Sequence, residues 1–308
     1  MRRALLSWTL VFALLIAGFG ASVLALNADL YSAGGFVRSY LQALERGDAQ
    51  AALETPGVTG ASALVTDETV GGFSGIHVIS DVEVDGVHIV RAGYTIAGAE
   101  QVTQFSVEHT GTRLGFFTTW RFAVSPVATL VVAVDHDTRF TINGVDAVAG
   151  SYSLLVPSAV ALDHDSTYLE ALDTSARLIE VGSTVEATVE VAPKEGFAAA
   201  VTTAVGAFLD VCATQQVLKP TGCPFGIDVV NRVDSLPSWS IAQYPDEAVL
   251  TPDGLVWTSA SLYGVAHITV SVKSLFDGTV STLDEDAPFT AIYLVTIGAD
   301  DSLSVTIS

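Results

Sequence analysis

Apolar residues run from position 4 to position 26, broken only by Ser7, Thr9, Ser22 and a few glycines, with Arg2 and Arg3 directly before them. About 20 apolar residues carry a helix across a bilayer, so the run is long enough to span one. The paired arginines resist translocation, which predicts a cytoplasmic amino end and a body lying outside the cytoplasm. The alternative is a cleaved export signal, with Gly20-Ala21-Ser22 as its small-residue cleavage site. Continued apolar character at Val23, Leu24 and Leu26 favours the retained, single-pass anchor.

Beyond a polar link the period changes to that of an amphipathic helix. Phe36, Val37, Tyr40, Leu41 and Leu44 share one side, and Arg38, Gln42 and Glu45 the other. Gly47 is placed to end this helix in a left-handed cap, Asp48 to cap a short second helix over 49–54, and Pro56 to stop it. Alternating segments follow. Val82 and Val84 lead into Asp85-Gly86, and Val87 and Ile89 lead out, which predicts a hairpin with a type I′ turn. Phe105 and Val107 alternate likewise, and Thr110-Gly111-Thr112 is expected to turn into a strand over 114–122 that holds Trp120. From Ser125-Pro126 to Pro193 strands alone are expected, at 130–134, 139–142, 151–156 and 184–191, with Asn143-Gly144 as a turn. A helical stripe then returns at Phe197, Val201, Val205, Phe208, Leu209 and Cys212. Strands are expected at 255–261, 265–272, 289–297 and 303–307, the last alternating to the final residues, and no second anchor is expected.

These patterns predict an α+β protein. An anchor and link occupy 1–30, a first α+β domain 31–124, a small β-sandwich 125–194 and a second α+β domain 195–308. Half of the 308 residues are hydrophobic and 15% are charged, a composition that builds cores and not disordered tails. Net charge is −21, so phosphate backbones are repelled and nucleic acid is not an expected partner. Cationic partners remain compatible with such a surface. Cys212 and Cys223 flank a loop containing Pro220 and Gly222; in an exported body a disulfide between them is expected. The spacing is far from Cys-x-x-Cys, and no further ligands lie nearby for zinc.

The chain contains no Gly-x-Ser-x-Gly elbow, Ser-x-x-Lys, His-Glu-x-x-His or phosphate-binding loop. Two Asp-His-Asp triplets make Asp135, Asp137, Asp163 and Asp165 candidates for a hard cation, because alternate residues of a strand share a face. Arg139-Phe140 and Thr167-Tyr168 stand where a calcium loop would need further oxygens and a glycine, so solvated turns are the ordinary explanation. His77, His88, His109 and His267 fall in or beside strands without a carboxylate partner identifiable along the chain.

The stretch Phe36-Val37-Arg38-Ser39-Tyr40-Leu41-Gln42-Ala43-Leu44-Glu45-Arg46-Gly47-Asp48, with Ala51-Ala52-Leu53 behind it, resembles the opening of NTF2-like (cystatin-like, cone-shaped α+β) domains. Element order in 195–308 is similar. Thr141-Ile142-Asn143-Gly144-Val145 and Gly150-Ser151-Tyr152 look like small β-domains of bacterial envelope proteins. The whole layout resembles the teicoplanin-resistance-associated envelope proteins. The resemblance implies a cone with a pocket at its open end, to which Tyr40, Phe105 and Trp120 are the candidate contributors. It also admits a cofactor-independent isomerase, since Tyr40 matches the catalytic tyrosine of ketosteroid isomerases. The general base those enzymes place after the second helix has no counterpart in Thr55-Pro56-Gly57-Val58-Thr59-Gly60, and no carboxylate follows until Asp67. No catalytic residue and no cofactor are therefore assigned. The expectation is a membrane-anchored binding or scaffolding module for an envelope protein or a small apolar ligand, with a passive spacer as the other non-enzymatic possibility.

Overall fold

In a computed structural model, the backbone is described for residues 2–307 and side chains from Phe12 onward. The protein is α+β and dominated by strands, 47% against 18% helix, arranged in several small sheets. Two compact units divide it: Met1–Ala133 with Arg139–Asp163 and Asp173–Val189, and Val134–Thr138 with His164–Leu172 and Glu190–Ser308. The strand-only region expected at 125–194 contributes to both.

The first unit opens with helix α1 (Arg2–Ala28). Helix α2 (Ala33–Glu45) follows, capped by the Ser32 hydroxyl, which accepts from the Gly35 N–H at 2.9 Å. Gly47 adopts the left-handed conformation expected of it, with φ 71°, and Asp48 caps α3 (Ala49–Leu53) through the Ala51 N–H at 2.9 Å. The buried stripe of α2, which includes Val37, Tyr40, Leu41 and Leu44, lies on an antiparallel sheet ordered β1 (Phe73–Val84), β2 (Val87–Ile96), β3 (Ala99–Arg113), β4 (Phe117–Phe122). Asp85 and Gly86, at φ 50° and 81°, form the expected hairpin turn.

The next turn lies further on than the sequence suggests. Thr110-Gly111-Thr112 remains in β3 as a bulge against β4, and the chain reverses at Leu114-Gly115, with φ 55° and 76°. Gly111 marks irregular strand there, and a leucine takes a left-handed position normally held by Gly, Asn or Asp.

Two more antiparallel sheets complete this unit. One orders Thr174–Leu178, Ser158–Asp163, Arg139–Ile142 and Val145–Val148; the other orders Thr184–Val189, Val127–Val134 and Gly150–Leu155. Their buried residues alternate, as at Ala128, Leu130 and Val132. The second unit sets the helix Phe197–Ala213, with Phe197, Val201, Val205, Leu209 and Cys212 buried, beside two four-stranded sheets. The strand expected at 289–297 is two strands in different sheets, Val280–Ala291 and Tyr293–Ile297. Cys212 and Cys223 are bonded, S–S 2.05 Å, and Gln215 clips the same loop through both the N–H and the C=O of Thr221, at 2.8 and 3.1 Å.

Among the residues whose side chains are described, no single helix is long and apolar enough to cross a membrane. Phe12–Ala28 and Ala33–Glu45 meet the criteria only together, bent by 59°, and α2 is buried on its sheet. Along α1 the apolar side chains are open: Phe12, Leu14, Leu15, Ile16 and Leu24 are 61–72% exposed.

Candidate functional site

A cleft of mixed apolar and polar lining in the first unit lies where α1 gives way to α2. It encloses about 460 Å³ between Leu30, Tyr31, Phe36 and Tyr40 on the helical side and Thr118 and Trp120 on β4, with Glu54 and Arg113 as its charged lining residues. The walls are tied together by backbone-directed bonds. The Trp120 indole N–H donates to the Tyr31 carbonyl at 2.8 Å, and the Tyr31 ring stacks on Phe117 at 4.5 Å. Asn27 grips the start of β4 with both ends of its amide: Nδ2 donates to the Phe116 carbonyl at 2.6 Å, and Oδ1 accepts from the Thr118 N–H at 3.2 Å. Gly35 permits the close approach of the link to α2, since a Cβ there would meet the Asp29 carbonyl oxygen at 2.2 Å.

Tyr40 and Trp120 therefore reach the cleft, and Phe105 does not line it. Phe105 is buried in the sheet interior, edge-to-face with Tyr40 at 6.1 Å. The Tyr40 hydroxyl donates to the carbonyl of Val156 at 2.9 Å. Burial pushes this phenol well above its ordinary range, only partly offset by that bond. Such a hydroxyl is engaged as a structural donor. Tyr31, Asn27 and Phe117 escaped the sequence reading; the signal was an asparagine immediately after the apolar run, with an aromatic residue four positions on.

The Asp-His-Asp triplets do not present alternate residues of a strand. His136 has φ 64°, so the first triplet is a turn, and Asp137 Oδ1 accepts from the Thr138 N–H at 2.6 Å. Asp135 is exposed. Asp163 ends a strand of the first unit, and Asp165 pairs with Lys194, whose ammonium holds its carboxyl below the usual range. In the second unit His164 and Asp137, 4% and 8% exposed, approach at 3.6 Å, and the Ser166 hydroxyl lies 3.0 Å from the same Nε2. A nucleophilic triad needs its serine and its carboxylate on opposite ring nitrogens. Ser166 instead caps its own turn by accepting from the Leu169 N–H at 3.1 Å. Among the described residues no group of three or more His, Cys, Asp or Glu is arranged to hold a metal ion.

Three of the four strand histidines have carboxylate neighbours, reached across strands and therefore invisible to a reading along the chain, whereas His109 packs edge-to-face on Trp120 at 5.8 Å. His88 meets Asp81 at 2.7 Å, His77 lies 3.6 Å from Glu100, and His267 sits between Asp284 and Asp286 at 2.9 and 2.8 Å. No protein-family model matches the chain, nor does any curated protein or solved structure.

Proposed function

We propose that the protein is a single-pass, membrane-anchored module of the cell envelope, its bulk outside the cytoplasm, which binds a small apolar or amphipathic ligand without chemical turnover. The cleft at the root of α1 carries this reading. Its walls combine Leu30, Tyr31, Phe36 and Trp120 with hydroxyl side chains and the charged Glu54 and Arg113, its volume suits a small amphipathic ligand, and the tyrosine that matches an isomerase has its hydroxyl committed to a backbone carbonyl. The anchor is supported by the 27 residues of α1, which at 1.5 Å per residue reach about 40 Å, more than the roughly 30 Å of a bilayer core.

Helix α2 laid on a four-stranded meander, with α3 packed against α2, supports an NTF2-like first domain. The antiparallel sheets that follow support a β-sandwich, and the disulfide-bearing helix with its sheets supports a second NTF2-like domain. Lys194, Lys219 and Lys273, the chain's lysines, all lie beyond the apolar run, so an impermeant amine reagent applied to intact cells is expected to label the protein. A photoreactive fatty acid added to membranes is expected to crosslink within 36–55, and Ser39→Trp, which fills the cleft from α2, to abolish that crosslink. Labelling of lysed cells only would remove the topology. Crosslinking that ignores Ser39→Trp would leave a spacer as the better description.

A further inference from the structure

The tip of the β3–β4 hairpin stands apart from the rest of its sheet. The last pair of β3 with β2 is Glu108 with Val87, yet β3 continues five residues further to Arg113, roughly 17 Å of strand beyond its neighbour. The turn it carries presents Leu114, 76% exposed, and Phe116, 52% exposed. A bulky apolar residue in the left-handed position of a turn is unfavourable on backbone grounds, and here its side chain has no core to fill.

This turn runs back along α1. Asn27 holds Phe116 and Thr118 at the foot of the helix, and the Phe116 ring packs edge-to-face on Phe19 at 5.7 Å. Phe19 lies seven residues inside the end of the apolar run at Leu26, roughly 10 Å along the helix. A helix that crosses the bilayer over 4–26 therefore takes the turn below the outer headgroups with it. Local charge agrees. In a chain with 34 acidic residues, no Asp or Glu occurs from His109 to Val134, and Arg113 and Arg121 lie in that stretch. Tyr31, Phe117 and Trp120 cluster at the root of the helix, the level at which amphipathic aromatic rings favour the interface. Arg113 can lay its stem along apolar surface and keep its guanidinium among phosphates.

We infer that the β3–β4 turn inserts into the outer leaflet beside α1, so that the first unit is held to the lipid bilayer by a helix and a hairpin together; this rests on the anchor reading above. A single tether would leave the unit free to tumble. Two adjacent contacts fix its orientation and place the mouth of the cleft at the membrane surface.

The test uses the full chain reconstituted in vesicles of phosphatidylcholine and phosphatidylglycerol, labelled with an environment-sensitive fluorophore at one introduced cysteine. Leu114→Cys reports the turn, Ile16→Cys the helix, and Glu100→Cys the opposite end of β3; the native cysteines are bonded to each other. Quenching by nitroxide-bearing acyl chains at positions 114 and 16, with iodide quenching at 100 alone, is the expected result. Quenching at 16 with iodide access at 114 would overturn the inserted turn and leave the anchor standing. Iodide access at 16 would overturn the anchor, and the inserted turn with it.

Discussion

Two buried tyrosines show how much a single oxygen decides. Tyr40 and Tyr293 are both sealed from solvent, at 1% and 0% exposure. Tyr40 donates to Val156, whereas the Tyr293 hydroxyl has no hydrogen-bond partner among the described residues, and burial pushes its phenol up to about 12. An unpaired buried polar group costs about 1–3 kcal/mol, and removing one partner of a buried pair exposes the other to the same cost. Tyr293→Phe is therefore expected to raise Tm by about 2–4 °C, and Tyr40→Phe to lower it by a similar amount, in calorimetry of the purified protein. Equal shifts in one direction would contradict the assignment. Composition could place both rings in a core, since each sits on an apolar stripe; only packing determined which hydroxyl found a carbonyl.

At the scale of paired strands, His267 links Leu262–Lys273 to Val280–Ala291, whose register sets His267 opposite Asp286 and Thr269 opposite Asp284. The Asp286 hydrogen bond, helped by the charges of both carboxylates, raises the imidazole above its ordinary value. Folding then favours the protonated form. The stabilisation is full below the unfolded value of about 6.5 and fades as pH rises through the higher folded value. His267→Gln should be less stable than the parent at pH 5.5, with the gap closing by pH 9, in chemical denaturation. A gap constant with pH would rule the clamp out.

The disulfide acts on an element too, tying the end of a helix to a loop across a sequence separation of 11. Constraining the unfolded chain over such a loop is worth up to about 3 kcal/mol. Reductant, or Cys212→Ser with Cys223→Ser, is expected to lower the denaturation midpoint by a corresponding amount, and an unchanged midpoint would mean that the Gln215 clip suffices. The α2 stripe, the Asp85-Gly86 turn and the cysteine pair were legible because each depends on neighbours within a few residues. The β3–β4 turn was misplaced because Gly111 serves there as a bulge, and a reversal carried by a leucine has no ordinary sequence signature.

Over the whole molecule the acidic charge is unevenly spread, and the longest gap after the first acidic residue, Asp29, coincides with the hairpin that lies along α1. That coincidence connects the proposed anchor, the cleft and the inserted turn, since all three involve residues at or beside the foot of the helix. What the sequence determined alone was whatever period and local chemistry dictate: the α+β class, the helix faces and caps, the first hairpin and the paired cysteines. Tertiary structure decided the rest, because it depends on residues far apart in the chain. The Tyr40 hydroxyl is spent on a carbonyl 116 positions away. His77, His88 and His267 find their carboxylates across strands, and the cleft takes its walls from the link after α1, from α2 and from β4 at once. Periodicity tells which face a residue shows; only the folded chain decides what that face meets.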